Sequence, residues 1–367
     1  KACFIRHLQG RPVECGKTAL AALPEIQSMV DETLPLGRER LGQLYGWVSS
    51  GFEAEGRLGE AWRMNRATAA VLRGSSGNVS GDPVPIRVSE IAGMPPMVRI
   101  FAWRTFEREA AFLNAVGRTL ESKALLDEAA AVIKKRWPVL SGDERFYAFK
   151  VLCSRAMTMN FLGYESESID EQRTLLGFGG SPGVSEGSFL ILKANILVNR
   201  SKWEGPTEEM VEEMRGLDED LKAEGTVDGV GRSLPKLEFR LKKSREAAAG
   251  IAKDAERKMS RNMRRELFFS DRDYLIARAE LGDEELDGEY VRLLGELRAQ
   301  GSKVSEPTIY REYGDYLLNG GRAEEAAGMY AEALRLTRGF GWFLHEPALL
   351  ESLGEARIEA GDAAGGG

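Results

Sequence analysis

Apolar residues recur at three- and four-residue spacing through most of the chain, the period of a helix with one buried face. The clearest copy runs from Tyr310 to Leu334. Tyr310, Tyr313, Gly314 and Leu317 share one helical face, and Ala323, Ala326, Tyr330, Ala333 and Leu334 share a second. Between them Asn319, Gly320 and Gly321 stop the first helix, because glycine takes the left-handed cap conformation without steric cost. Two amphipathic helices joined by so short a turn predict an antiparallel hairpin, with Gly314 and Ala326 letting the backbones approach.

The same pattern predicts further pairs upstream. Tyr45, Val48, Ser49 and Phe52, then Gly56, Leu58 and Ala61, repeat the register of 310–334. A second pair is expected near 96–116 and 120–137, and a third from about Glu144 to Leu176 with a turn at Gly163. Phe189 to Val198 opens a fourth. Its second helix is capped by Thr207 and carries the stripe Met210, Met214, Leu217 and Leu221. A long helix follows from about Leu234, with Gly250 as the expected break; the fifth turn falls near Gly282, and 310–334 is the sixth hairpin. A last helix, Pro347 to Ala360, reaches a turn at Gly361 with no second helix after it. Residues 74–95 break the periodicity with Gly, Ser, Asn and Pro, which predicts a loop insertion. Residues 1–36 form a separate N-terminal helical segment, with Thr18 to Leu34 restarted at Pro24; the array occupies 37–367.

The turn glycines Gly163, Gly282, Gly321 and Gly361 imply a repeat of about 40 residues. Tyr310, Tyr313, Gly314, Leu317, Gly321, Ala323, Ala326, Tyr330 and Ala333 stand in register with the small–large pattern of the tetratricopeptide repeat, which this stretch resembles. The longer period is similar to that of arrays found in bacterial signal-responsive regulators, in peptide-pheromone receptors and beside caspase-like effector domains. The resemblance is closest over 306–361, looser over 40–72 and architectural elsewhere. It implies an all-α, right-handed superhelical solenoid of antiparallel helix pairs whose first helices line a concave groove. Carried over by register, the groove positions are Gln43, Gly46, Ser50 and Glu53, then Arg311, Asp315 and Asn319, then Glu351 and Glu355. The Lys and Asn of the family's clamp for a C-terminal carboxylate are absent at these places, which argues against chaperone-tail recognition.

Composition sharpens this picture at few points. Sparse β-branched residues and abundant Ala, Leu, Glu and Arg favour helix. A net charge of −7 gives no global preference for nucleic acid. Residues 204–228 hold ten acidic and two basic side chains, whereas 232–265 hold twelve basic and four acidic. The basic run includes Arg240, Lys242, Lys243, Arg245, Arg257, Lys258, Arg261, Arg264 and Arg265, but almost no aromatic residue for base stacking. The expectation is that the acidic helix faces it, so a nucleic-acid partner is disfavoured.

Candidate chemistry is thin. Gly10, Gly16, Lys17 and Thr18 approach a phosphate-binding loop, but five residues separate the glycines where four are needed, Glu14 would face the phosphates, and no alternating strand–helix sheet follows. That stretch reads instead as a loop before a helix start. His7 and His345 lack metal-ligand companions, and Cys3, Cys15 and Cys153 form neither a disulfide framework nor a CxxC pair. The cysteines suit a reducing, cytoplasmic compartment; the start at Lys1 leaves an exported mature chain as the alternative.

The expectation is a non-enzymatic scaffold, without cofactor, metal or membrane span, that binds a protein or peptide. The alternative is the sensor or regulatory half of a larger effector or transcriptional regulator. Leu350 and Leu353 on the last helix are expected to show an apolar face covered by a sister chain or by a further segment.

Overall fold

The computed structural model describes residues 11–29, 34–74, 85–178, 180–224, 230–231, 233–260 and 264–361. All regular structure among them is helical. The α-helices in order are α1 (Pro12–Met29), α2 (Pro35–Ala54), α3 (Leu58–Leu72), α4 (Val88–Gly93), α5 (Pro96–Ala115), α6 (Thr119–Arg136), α7 (Gly142–Phe161), α8 (Glu165–Leu176), α9 (Glu186–Trp203), α10 (Glu208–Ala223), α11 (Ser233–Lys242), α12 (Arg245–Ser260), α13 (Arg264–Glu280), α14 (Asp287–Ala299), α15 (Glu306–Asn319), α16 (Ala323–Phe340) and α17 (Glu346–Glu359). Several starts carry their signal in the sequence. Proline opens α2 and α5, where its missing N–H costs nothing. Ser141 and Glu144 form a reciprocal capping box on α7, and Thr207 Oγ1 accepts from Met210 N at 3.2 Å on α10.

Successive helices joined by a short turn pack on one another, as in α2 with α3, α5 with α6 and α15 with α16. The turn residue is left-handed: Gly56, Gly117, Gly163, Gly205, Gly282, Gly321 and Gly361 all have positive φ, from 73° to 88° across Gly56–Gly361. Lys243 fills the remaining step at φ 46°, so the helix expected to run from Leu234 breaks there and not at Gly250. Ser244 then caps α12 through Ala247 N, while Gly250 lies inside that helix, where a Cβ would stand 3.2 Å from Pro235. Gly250 is therefore a close approach between α11 and α12. The hairpin at 310–334 becomes the seventh of these pairs. In three of them a buried serine spans the closest approach, donating to a carbonyl of the facing helix: Ser49 to Ala61 (2.7 Å), Ser122 to Ala110 (2.9 Å) and Ser168 to Ala156 (2.7 Å).

Other expectations are corrected. α1 runs unbroken through Pro24, because Cys15 and Ala19 before it and Leu23 and Ile26 around it hold the helix against its neighbours. Of the insertion, residues 75–84 lie outside the described set, but 85–95 are not a free loop. Ile86, Val88 and Ile91, the last two on α4, are buried with Trp103 and Phe106 of α5. On α17, Leu353 is buried with Leu349 and Ala356 against α16; of its large apolar side chains Leu350 and Ile358 are exposed. The spacing explains this, since 349, 353 and 356 share one helical face and 350 lies beside it.

The last third of the chain meets the first. Lys303 N and Val304 N donate to Ala115 O at 2.6 and 3.2 Å. Trp342 Nε1 donates to Thr119 Oγ1 at 3.1 Å, and its ring stacks on Phe161. His345 Nε2 lies 3.1 Å from Phe161 O. Glycine makes this seam possible: a Cβ at Gly117 would fall 2.5 Å from Phe340, and one at Gly163 2.7 Å from Leu344.

Candidate functional site

The first helices of the pairs contact one another directly, α2 with α5, α5 with α7, α9 with α11 and α13 with α15. Their polar residues therefore meet across helices. On α2, Gly46 leaves room beside Arg104 of α5, whose Nη1 would be 3.8 Å from a Cβ there. Arg108 donates from Nη1 to Ser50 Oγ (2.7 Å) and from Nη2 to Ser49 Oγ (3.0 Å) and Glu53 Oε2 (2.7 Å). Ser50 and Glu53 are thus joined by an arginine that the register did not single out. Arg104 has one distant contact, Nη2 to Ser50 Oγ at 3.5 Å, and no carboxylate within ion-pair distance among the described residues.

Arg104 and Arg108 stand one turn apart, where like charges repel. Burial pushes the Arg108 guanidinium down to about 10, and burial, then Arg108 itself, lowers Arg104. From α7, Lys150 Nζ lies over the Phe146 ring at 4.5 Å, again without a carboxylate partner among the described residues. It is open to water yet walled by protein, and this desolvation lowers it, as does Arg104. The nearby Glu107 carboxylate accepts from Ser154 Oγ at 2.7 Å. Burial pushes the Cys153 thiol up to about 12, which disfavours its thiolate.

Farther along, Asp273 on α13 accepts from Lys236 Nζ (2.7 Å) and Arg272 Nη2 (2.9 Å), and Arg240 donates to Ser201 Oγ (3.0 Å). Glu312 of α15 lies close enough to Arg272 and Lys236 to feel their charge, but its Oε2 finds no hydrogen bond. These contacts revise the expected charge match. Lys243 pairs with Glu280 and Arg245 with Asp283 (2.7 Å), so acid from α13 and the turn after it offsets the basic run. The ion pair that joins α10 to α11 has the opposite sense, Arg215 to Glu238 at 2.6 Å. The side chains of Arg257, Lys258, Arg261, Arg264 and Arg265 lie outside the described residues.

At the C-terminal end, Asp315 Oδ1 accepts from Tyr330 OH at 2.7 Å, with Arg311 and Glu355 within electrostatic reach of the same hydroxyl. Gln43, Asn319 and Glu351 make no side-chain hydrogen bond or ion pair among the described residues, and Asn319, Glu351 and Glu355 are exposed. The signal for the missed residues was present. Arg104 and Lys150 precede the turn glycines Gly117 and Gly163 by the same number of residues as Gln43 precedes Gly56.

The phosphate-loop resemblance dissolves into helix: Lys17 pairs with Glu55 at 3.1 Å, Thr18 Oγ1 donates to Glu14 O, and Gly16 packs against Gly51; Gly10 lies outside the described residues. Among the described residues no three His, Cys, Asp or Glu side chains are placed to hold a metal, and no helix is long and apolar enough to cross a membrane. Neither known protein families nor curated proteins yield a match to the sequence.

Proposed function

We propose that the chain is a non-enzymatic binding module, a right-handed superhelical array of tetratricopeptide-like antiparallel pairs that receives a protein or peptide segment on the face built by its first helices. The observation that carries this reading is the polar junction of Ser50, Glu53, Arg104 and Arg108 across α2 and α5, extended by Lys150 on α7. Structural ion pairs normally neutralise themselves; here three cations, Arg104, Arg108 and Lys150, face two carboxylates, Glu53 and Glu107, and neither Arg104 nor Lys150 makes an ion pair among the described residues. The turn residues recurring about every 40 positions support the repeat reading.

Selection of a phage-displayed random peptide library on the whole chain supplies a ligand even while the natural partner is unidentified. A photo-crosslinking residue at Gln43 or Asp315 should capture the selected peptide, and one at the exposed Lys135 of α6, a second helix, should not. Capture at Lys135 alone, or no binder from the library, would sink the reading.

A further inference from the structure

We propose that the α5–α7 part of the inner face is an anion site that takes the acidic side chains of an extended peptide, with Arg104 and Lys150 as its recognition residues and Arg108 as a positioning residue. The inference rests on the reading above and adds the ligand's chemistry.

Within the cluster, Arg108 is paired with Glu53 at 2.7 Å, while Glu107 accepts from Ser154, keeps its charge and attracts Arg104 and Lys150 from beyond ion-pair distance. Half-buried Arg104 and exposed Lys150 then have no carboxylate in ion-pair range among the described residues. Partly desolvating Arg104 without pairing it is costly, and setting Arg108 one turn away adds repulsion. A fold gains nothing from this arrangement by itself. An anion that pairs with Arg104 offsets both penalties, and exposed Lys150 adds attraction from the neighbouring helix.

Geometry then selects the class of anion. The cations project from the middles of α5 and α7, where backbone N–H groups are spent on the helices. The site therefore lacks the amide cradle that holds phosphate at helix N-termini and nests. Recognition must come from side chains alone. Arg104 and Lys150 stand on neighbouring packed helices, whose axes are typically about 8–10 Å apart. Alternate side chains of an extended peptide are about 6.6–6.8 Å apart, a spacing from which two carboxylates can each reach one cation. Phe146, beneath Lys150, offers an apolar surface to the peptide's aliphatic stems.

The probe is a fluorescein-labelled peptide of alternating Glu and Ala, with an acetylated N-terminus and an amidated C-terminus so that only side-chain carboxylates are present. Fluorescence anisotropy at low salt should show binding that weakens as salt is added, and the Lys–Ala counterpart should not bind. Arg104→Gln with Lys150→Gln should weaken binding at least tenfold, Lys150→Gln alone should weaken it measurably, and Lys135→Gln should leave it unchanged. Because Lys150 is exposed, the single variant keeps the test valid if the double variant does not fold. No binding by the wild-type chain, binding that both variants retain, or displacement by inorganic phosphate but not by excess unlabelled peptide would overturn the proposal. A library-selected peptide that crosslinks at Gln43 yet tolerates both variants would refute the acidic-ligand inference alone. Crosslinking confined to Lys135 would refute the wider reading.

Discussion

The α2–α5–α7 face and the α15–α16 hairpin are built on one plan and use their polar residues in opposite ways. In the hairpin, Tyr330 OH donates to Asp315, Tyr313 OH donates to Asp287, and Arg322 pairs with Asp287 and Glu325, so hydroxyls and charges are matched within the fold. On the α5–α7 face, Arg104 and Lys150 are left over. Register tells which positions of the two regions are equivalent. It does not tell whether the residue there is occupied by a partner inside the protein, and that difference separates a stabilising network from a recognition surface.

The most disruptive way to break the comparison is to part the two regions at their seam. Trp342 is buried, stacks on Phe161 and donates to Thr119, and so ties together pairs that are distant in sequence. Trp342→Ala should cost about 3–5 kcal/mol, as for a large buried aromatic. Urea unfolding together with the hydrodynamic radius reads this; a loss under about 1 kcal/mol with no expansion would mean that the seam contributes nothing to holding the regions together.

A paired substitution sharpens the contrast with a smaller effect. At Gly314 a Cβ would lie 2.7 Å from the Tyr330 ring, which is buried and anchored through Asp315 and so cannot yield. Gly314→Ala should therefore destabilise by about 1–3 kcal/mol, overpacking outweighing the gain in helix propensity. At Gly46 the nearest atom to a Cβ is Arg104 Nη1 at 3.8 Å, the far end of a flexible side chain. Gly46→Ala should be neutral or stabilising by up to about 1 kcal/mol. Equal losses in thermal melts would show that the two faces are equally tight.

Much of the architecture is legible in the sequence because helix starts and turns are local events. Thr207, Ser141, Gly163 and Gly321 announce themselves through hydrogen bonds and backbone conformations that span only a few residues. The break at Lys243 is not legible, since a lysine in the left-handed region carries no glycine signal. The seam is equally silent: Thr119 and Trp342 are paired by packing between residues 223 apart in sequence. For the candidate site, Ser50 and Glu53 follow from register, but their partner Arg108 comes from the next pair, and no local rule says which outward arginine finds an acid and which does not. The charge match around Lys243 and Arg245 fails for the same reason, because nearness in sequence pointed to α10 and the packing supplies Glu280 and Asp283.

The mildest test asks whether the C-terminal region is as fully matched as its tyrosines suggest. Glu312, whose Oε2 is shut off from water without a hydrogen bond, is an exception. Burial pushes its carboxyl above the ordinary range, against the pull of Arg272, Arg311 and Lys236 and with reinforcement from Asp273. Arg272 commits a guanidinium nitrogen to Asp273 at 2.9 Å, which leaves Glu312 without a direct ion pair. In the unfolded chain Glu312 loses its proton in the usual carboxyl range, about pH 4.3. In the folded chain it holds the proton to higher pH. The folded state thus binds more protons across that window, and stability falls as pH rises from the unfolded value through the folded one. Glu312→Gln should abolish this decline, leaving stability near pH 4 almost unchanged and raising it at neutral pH by less than the other substitutions cost. Urea midpoints between about pH 4 and 8 measure the difference. If the variant is less stable than the wild type at neutral pH, the ionised carboxylate is stabilised by the three cations around it. Glu312 would then be matched like Asp315 and Asp287, and the contrast with Arg104 and Lys150 would sharpen.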